Sequence, residues 1–218
     1  LTSIKGAIGL IIGTMASSIP DNSRRLLDIA ESNCNRLISL VNDILDLEKM
    51  SSGEVEFELA KHEINALVQS SVEQTVPFAQ HHGVILRAEL PEEFSEVLID
   101  AGRTEQVLRN LMSNSAKFSS TEQEVLVKVG GVDTHVRVSV IDHGCGISPE
   151  LRDKIFQPFS QADSSNTRNK QGTGLGLNIS KQIVEAHSGV IWAENIRPTD
   201  ADVTSEPLGA RFVVGLPL

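Results

Sequence analysis

The N-terminal quarter of the chain has apolar residues at helical spacing. Residues 1–18 carry one at every third or fourth position, and residue types that form turns and N-caps follow at 19–22. The next helix, which the Ser-Ser-Gly of residues 51–53 ends, carries a stripe with alternating steps of four and three: Ala30, Cys34, Leu37, Val41 and Ile44. Further leucines and isoleucines widen this stripe beyond what one partner helix can cover. We therefore predict an antiparallel helical hairpin that forms half of a dimeric four-helix bundle.

After residue 53 the pattern changes to short strands and helices. Apolar runs and alternation predict strands at residues 54–59, 84–90, 97–101, 124–129, 135–142, 190–195 and 210–216. Helical spacing predicts helices at residues 64–82, 104–118, 149–159 and 175–187. The glycines of residues 130–133 are expected to form the turn of a hairpin. These elements predict two domains, 1–52 and 53–218, the second an α+β sandwich with helices on one face of a mixed sheet.

The composition of the chain disfavours nucleic acid as a binding partner and indicates a folded protein without a membrane span. The 218 residues are 40% hydrophobic, which is enough for a substantial core. The net charge of −10, without a run of Lys and Arg, disfavours nucleic acid. Cys34 and Cys145 have neither ligand nor disulfide spacing, so we expect a reducing compartment and treat Cys34 as a small core residue. No stretch approaches the roughly 18 apolar residues of a membrane span. We expect a cytoplasmic location, as a soluble protein or as the cytoplasmic part of a membrane-anchored one.

Three polar residues share one face of the helix predicted at 104–118. Asn110, Asn114 and Lys117 are four and three residues apart, so they lie on the same side. Amide oxygens are suitable ligands for Mg²⁺, and the lysine can meet phosphate charge. The alternative is an ordinary solvated helix face.

An aspartate and two glycines follow the strand predicted at 135–142. Asp142 at the strand end can accept a hydrogen bond from an exocyclic amine such as adenine N6. Gly144 and Gly146 would let a flat ligand approach the backbone. The alternative is a tight turn that Asp142 caps.

A second glycine cluster stands between a polar loop and a helix. Gly172, Gly174 and Gly176 place backbone N–H groups at the helix start, where phosphate oxygens bind. The cluster fits neither the GxxxxGK[ST] loop nor the dinucleotide fingerprint. Arg168 and Lys170 upstream either reach a γ-phosphate or are solubilising charges of a lid.

Two aromatic residues lie just before that polar loop. Phe156 and Phe159, with Ile155 and Pro158, either clamp the lid when nucleotide is bound or belong to the core.

Four segments in order resemble the N, G1, F and G2 boxes of sensor histidine kinases, within the GHKL ATPase superfamily. They are QVLRNLMSNSAKFS (106–119), DHGCGI (142–147), IFQPFSQAD (155–163) and GTGLGL (172–177). LTSIKG (1–6) resembles the sequence that follows the phosphoacceptor motif, so the resemblance covers essentially the whole chain. It implies a GHKL (Bergerat-type) α/β sandwich at residues 53–218.

The resemblance also implies roles for residues. Mg²⁺ would be bound by Asn110 and Asn114, and catalysis would involve Asn110, Asn114, Lys117 and Arg168. ATP would be bound by Asn114, Lys117, Asp142, Gly144, Gly146, Ile147, Phe156, Phe159, Lys170, Gly172, Thr173, Gly174, Leu175, Gly176 and Leu177. Gly172, Gly174 and Gly176 would form the hinge of the lid. Gln171, Ala210 and His143 depart from the family pattern.

In such kinases the γ-phosphoryl group passes to a histidine on the first bundle helix and then to an aspartate on a response-regulator receiver domain. The family pattern places that histidine, its acidic neighbour and a Thr or Asn within about six positions before Leu1. All six histidines of this chain follow the hairpin. We therefore expect the chain as given to bind ATP and to dimerise, without labelling itself. An upstream sensor domain is the other expected partner.

One rival interpretation is a nucleotide-gated dimeric interaction module that binds ATP without transferring phosphate. The residues before Leu1 would discriminate between the two. A chaperone, topoisomerase or mismatch-repair ATPase of the same superfamily is disfavoured, because those proteins lack the preceding hairpin.

Overall fold

The computed structural model describes residues 1–14, 19–92, 96–132, 134–160, 173–197 and 207–218. They divide into two compact units, Leu1–Val55 and Glu56–Leu218. The helices are α1 (Thr2–Thr14), α2 (Asp21–Ser51), α3 (Ile64–His81), α4 (Ala101–Phe118), α5 (Pro149–Arg152) and α6 (Gly176–Ala186). The strands are β1 (Ala60–Glu63), β2 (Ile85–Glu89), β3 (Glu96–Ile99), β4 (Glu124–Val132), β5 (His135–Ile141), β6 (Val190–Ile196) and β7 (Gly209–Pro217). None of the helices in these ranges has the length and apolar content that crossing a membrane requires.

The first unit is a helical hairpin in which α1 packs against α2. The predicted bounds of the second helix are confirmed, and α1 ends at Thr14, with residues 15–18 outside the described part. Cys34 is buried, as predicted for a small core residue, and it is the only buried side chain among the described residues of this unit. Leu37 and Val41 of the same stripe are 49% and 41% exposed. One copy of the hairpin thus leaves its apolar stripe largely uncovered.

The second unit contains a mixed five-stranded sheet in the order β2-β4-β5-β7-β6. The β2–β4 pair is parallel and the other pairs are antiparallel. A separate antiparallel pair joins β1 to β3. The predicted α+β class with a mixed sheet is confirmed.

The core lies between the sheet and the helices of this unit. Alternate residues of the strands point to this layer because side chains in a strand alternate between its faces. The residues of this series that are buried include Val125, Val127, Val136, Val138, Val140, Phe212, Val214 and Leu216. Three of them, Val138, Val214 and Leu216, line a small cavity together with Val107 and Leu108 of α4 and Ile183 of α6. This packing fixes α4 and α6 over the centre of the sheet.

The strand predicted at 54–59 is wrong. The β1–β3 ladder begins at the pair Ala60↔Ile99, because Asp100 leaves the ladder to cap α4 and accepts a hydrogen bond from the Arg103 N–H at 3.0 Å. The Phe57 side chain is half-buried, whereas those of its two neighbours are exposed. The Phe57 ring packs edge-on against His187, with 5.2 Å between the ring centroids. The same cap starts α4 at Ala101, three residues earlier than predicted.

The predicted hairpin of β4 and β5 is confirmed, but Gly130 and Gly131 do not form its turn. Gly130 and Gly131 pair within the β4–β5 ladder, opposite Arg137 and Val136, and the ladder continues to Val132↔His135. A Cβ on either glycine would meet no atom within 4 Å. The two glycines therefore lie in the strand, and the chain reverses after Val132.

The helix predicted at 149–159 is confined to the four residues of α5. Pro158 has no N–H to donate and disfavours helical geometry at the residue before it. Residues 153–159 form turns instead, with Phe159 at φ +61°.

Candidate functional site

Asp142 is the buried polar residue at the end of β5. It continues the inward-facing series of Val136, Val138 and Val140 by two residues, so its side chain points toward the helix layer. Only 3% of its surface is exposed. The strand thus delivers a carboxylate to the rim of the core beneath α4.

Three donors hold the Asp142 carboxylate. Oδ1 accepts the backbone N–H groups of Gly144 at 2.9 Å and Ala210 at 3.1 Å. Oδ2 accepts the Ser115 hydroxyl of α4 at 3.2 Å. Since a carboxylate offers about four acceptor positions, the described residues leave one position on Oδ2 for a further donor.

Burial raises the pKa of Asp142 above the ordinary value of 3.8. The hydrogen bonds from Gly144, Ala210 and Ser115 and the charge of His143 act in the opposite direction. A buried carboxylate whose pKa is shifted by desolvation is typical of functional sites, because the folded chain gains little from it otherwise.

Gly144 and Gly146 bring the loop after Asp142 close to other backbone. A Cβ on Gly144 would stand 2.6 Å from the carbonyl oxygen of Phe118, at the C-terminal end of α4. Gly146 has φ +70°, and its Cβ would stand 2.5 Å from Pro207 and 2.9 Å from Asn195 Oδ1. Both positions therefore require glycine. The loop is tight, as the alternative interpretation expected, and it also holds Asp142 in place.

His143 and Ile147 connect this loop to two different strands, β4 and β6. His143 is exposed, and its Nδ1 lies 3.1 Å from the carbonyl oxygen of Glu124. Ile147 is 7% exposed, and its backbone N–H and C=O both pair with the side chain of Asn195, at 2.7 and 2.8 Å. The sequence analysis missed Asn195, since its partner is 48 residues away and no local pattern indicates the pairing.

The polar face of α4 lies beside the start of α6. Asn110 Nδ2 donates to the Gly176 carbonyl oxygen at 3.2 Å, and the Ser180 hydroxyl donates to the same oxygen at 2.8 Å. The Asn114 side chain makes no hydrogen bond within the described part of the chain. Lys117 Nζ lies 5.8 Å from the centre of the Phe118 ring. The predicted shared face is present, and Asn110 joins it to the second glycine cluster.

The described part of that cluster forms the entry to α6. The Leu175 N–H donates to Thr173 Oγ1 at 3.2 Å, and Gly174 has φ +74°. Leu175 is fully buried and Leu177 is half-buried. Gly176 is the first residue of the eleven-residue helix α6. The N-terminus of α6 is thereby anchored in the core next to α4.

Phe156 and Phe159 behave differently. The Phe156 carbonyl oxygen accepts a hydrogen bond from Asn178 Nδ2 of α6 at 2.9 Å, and its side chain is half-buried. The Phe159 side chain is 64% exposed. Phe159 is therefore not a core residue.

Three members of the predicted set, Arg168, Lys170 and Gly172, lie outside the described residues. Among the residues that are described, no cluster of three or more His, Cys, Asp or Glu side chains could hold a metal ion.

Helix α4 connects the two halves of the site. Asn110 contacts the start of α6, whereas Ser115 binds Asp142 and Phe118 lies against Gly144. Five residues of helix span about 8 Å. A ligand with a flat head and an anionic tail can bridge that separation.

Two family models match the chain. Residues 99–218 match the model described as histidine kinase-, DNA gyrase B-, and HSP90-like ATPase. Residues 1–53 match the His kinase A (phospho-acceptor) domain. The second match falls in the first unit and the first match in the second unit, and residues 54–98 lie outside both.

The comparisons with individual proteins agree with these models. The circadian input-output histidine kinase CikA of Thermosynechococcus vestitus is 33% identical over 219 aligned residues, which cover 100% of this chain and 29% of CikA. The structure of full-length ShkA in complex with AMPPNP has a TM-score of 0.77 at 27% identity, covering 99% of this chain and 43% of ShkA. The structure of histidine kinase ThkA in complex with response regulator protein TrrA has a TM-score of 0.70 at 27% identity, covering 97% of this chain and 56% of that one. The chain thus spans less than a third of the curated relative CikA.

Proposed function

Because the chain belongs to the histidine kinase-, DNA gyrase B-, and HSP90-like ATPase family, we propose that it is the catalytic core of a sensor histidine kinase. It binds Mg-ATP and supplies the γ-phosphoryl group to a histidine. The phospho-acceptor domain match at residues 1–53 supports this assignment over the other ATPases of the family. Residues 1–52 serve as the dimerisation hairpin and residues 53–218 as the ATP-binding domain.

The observation that carries the proposal is the acceptor position on Asp142 Oδ2 that no described residue occupies. Three donors occupy the rest of the carboxylate and hold its orientation. The exocyclic amine of adenine donates a hydrogen bond to such an acceptor, whereas guanine presents a carbonyl oxygen there. Asp142 therefore selects adenine, with Gly144, Gly146 and Ile147 shaping the loop beside the base.

The amides of α4 fit a divalent cation. Asn110 directs Nδ2 to the Gly176 carbonyl oxygen, which leaves Oδ1 available as a ligand. Asn114 lies one turn further on the same face, with no hydrogen bond to the described residues. Amide oxygens are suitable for Mg²⁺, which when bound neutralises charge on phosphate oxygens. Asn110 and Asn114 would hold this ion.

The start of α6 and Lys117 would meet the phosphates. Gly174 and Gly176 place backbone at the N-terminus of an eleven-residue helix, where the helix dipole favours anions. Lys117 adds a positive charge on α4. These groups position the triphosphate and balance its charge, which is most of what phosphoryl transfer requires from a protein.

The acceptor and the partners lie outside this sequence. The first histidine of the chain is His62, after the hairpin, so the acceptor histidine belongs to a segment that this sequence does not contain. We propose a homodimer through the exposed stripe of α2, an upstream sensor domain, and onward transfer to a response-regulator receiver domain in the cytoplasm. The ThkA–TrrA complex supports the last of these partners.

Calorimetry on the chain tests the nucleotide site. ATP with Mg²⁺ should bind, and GTP should bind at least about tenfold more weakly, since guanine leaves the Asp142 acceptor unpaired. A folded chain that binds no ATP would overturn the proposal.

Phosphoryl transfer is tested on a longer protein that includes the acceptor histidine. With γ-labelled ATP, the protein should acquire label, and substitution of that histidine should abolish labelling. ATP binding without any labelling would favour a nucleotide-gated interaction module.

A further inference from the structure

Asn195 connects the edge strand β6 to the loop that follows Asp142. Its Oδ1 accepts the Ile147 N–H at 2.7 Å, and its Nδ2 donates to the Ile147 C=O at 2.8 Å. The carboxamide thus pairs with one residue in the way a neighbouring strand would. Ile147 is 7% exposed, so without Asn195 both of its backbone groups would be buried without these partners.

The same row of the sheet holds the other end of the loop. Asn195 pairs across the ladder with Ala210 of β7. On the opposite side of β7, the Ala210 N–H donates to Asp142 Oδ1 at 3.1 Å, and its C=O accepts the Asp142 N–H at 2.9 Å. The loop from Asp142 to Ile147 is therefore closed into a ring through Asn195 and Ala210.

This ring determines where the loop backbone stands relative to the Asp142 carboxylate. Gly144 is held by Asp142 Oδ1, and Gly146 lies against Asn195, where its Cβ would be 2.9 Å from Oδ1. Asp142 fixes the start of the loop, and Asn195 fixes its end. A ligand that contacts both the carboxylate and the glycine backbone needs both ends in place.

We propose that Asn195 is a positioning residue of the nucleotide site, acting through the backbone of Ile147 on the loop that shapes the adenine pocket. The inference rests on the proposed ATP-binding function. Asn195 does not touch the nucleotide. It keeps the glycine backbone at the distance from Asp142 that the base requires.

The first test is Asn195→Ala, with Asn65→Ala as the matched control. Asn65 Nδ2 donates to the Pro91 carbonyl oxygen at 3.0 Å, at the start of α3. Both variants lose an asparagine that binds backbone, and both should lower the melting temperature. Asn195→Ala should weaken ATP binding at least about tenfold, whereas Asn65→Ala should leave it unchanged.

The second test is Asn195→Asp, which keeps the shape of the side chain. An ionised carboxylate accepts the Ile147 N–H but cannot donate to the C=O, whereas a protonated carboxyl group can do both. The ATP affinity of this variant relative to the parent should therefore recover as the pH falls from 7 to about 4, the range in which an ordinary Asp carboxyl group becomes protonated. Asp142 and His143 are present in both proteins, so the ratio cancels their contribution. The affinities are measured at low salt and in about 1 M salt, where the screening length is about 3 Å, and the recovery should persist at high salt if repulsion of the phosphates is not its cause.

The outcomes separate this inference from the proposed function. A parent chain that does not bind ATP refutes the proposed function. A parent chain that binds, with Asn195→Ala and Asn195→Asp binding equally well at every pH, refutes the positioning role. If Asn195→Ala fails to fold, a flat affinity ratio for Asn195→Asp is sufficient to reject it.

Discussion

Replacement of Asp142 by Asn separates the stability of the site from its recognition of adenine. An Asn side chain placed with its oxygen at the Oδ1 position still accepts the N–H groups of Gly144 and Ala210. Its amide nitrogen then stands at the Oδ2 position and donates to the Ser115 hydroxyl. The fold keeps its three hydrogen bonds, and the free acceptor becomes a donor.

The loss of affinity follows from that exchange. A hydrogen bond to a charged acceptor contributes about 1.5–3 kcal/mol. Since 1.4 kcal/mol corresponds to a factor of ten, ATP should bind about 10- to 150-fold more weakly to Asp142→Asn. Discrimination between ATP and GTP should shrink as well, because the variant no longer presents an acceptor to the base.

Calorimetry with ATP and GTP measures both quantities, with Asp100→Asn as the control. Asp100 also receives backbone N–H groups on both oxygens, from Arg103 at 3.0 Å and from Glu58 at 3.1 Å. It lies at the other end of α4 from Ser115, about 22 Å along the helix axis. The control should lower the melting temperature and leave ATP affinity intact. ATP affinity within threefold of the parent in Asp142→Asn would refute the adenine assignment.

The same variant should change the pH dependence of stability. Because burial raises the pKa of Asp142 above 3.8, the folded state holds the proton to higher pH than the unfolded state does. The contribution of this group to stability is therefore present below pH 3.8 and is lost as the pH rises through the folded pKa. The melting temperature of Asp142→Asn relative to the parent should rise between acid and neutral pH. A difference that stays constant over this range would show that burial does not govern the ionisation of Asp142.

Three other variants test separate parts of the proposal. Gly209→Ala should lower the free energy of unfolding by about 1–3 kcal/mol and abolish ATP binding. Gly209 has φ +152°, and a Cβ there would overlap the Asp142 carbonyl oxygen. An unchanged melting temperature would contradict this. Leu37→Lys with Val41→Lys should produce monomers in light scattering while ATP affinity is retained, and a persistent dimer would argue against the hairpin interface. Asn110→Ala should weaken ATP binding at least about tenfold with Mg²⁺ present and much less in EDTA, so an equal loss in both conditions would rule out a role in holding the ion.

Elements defined by a local period were predictable from the sequence. Helix α2 begins within the turn and N-cap residues of 19–22 and ends at the Ser-Ser-Gly of residues 51–53, as these local signals indicate. The place of Asp142 at the end of a strand followed from alternation in 135–142. Such patterns involve residues that are close together in the sequence, so they can be recognised from the sequence alone.

Features that depend on a distant partner were not predictable. Residues 54–59 alternate but find no ladder partner, because Asp100 turns away to cap α4. Gly130 reads as a turn residue, yet it pairs opposite Arg137 in the sheet. In both cases the local pattern is compatible with two structures. Which of them forms depends on contacts with residues that are distant in the sequence.

The site shows the same division. Local sequence identified Asp142 as a candidate adenine acceptor and Asn110 as a polar residue on a helix face. The tertiary structure decided which positions of the carboxylate stay open, since Ser115 and Ala210 come from two other elements. It also brought Asn195 to Ile147 across 48 residues of chain. Hydrogen bonds between elements depend on how the sheet and helices pack. No periodic pattern in the sequence indicates this packing.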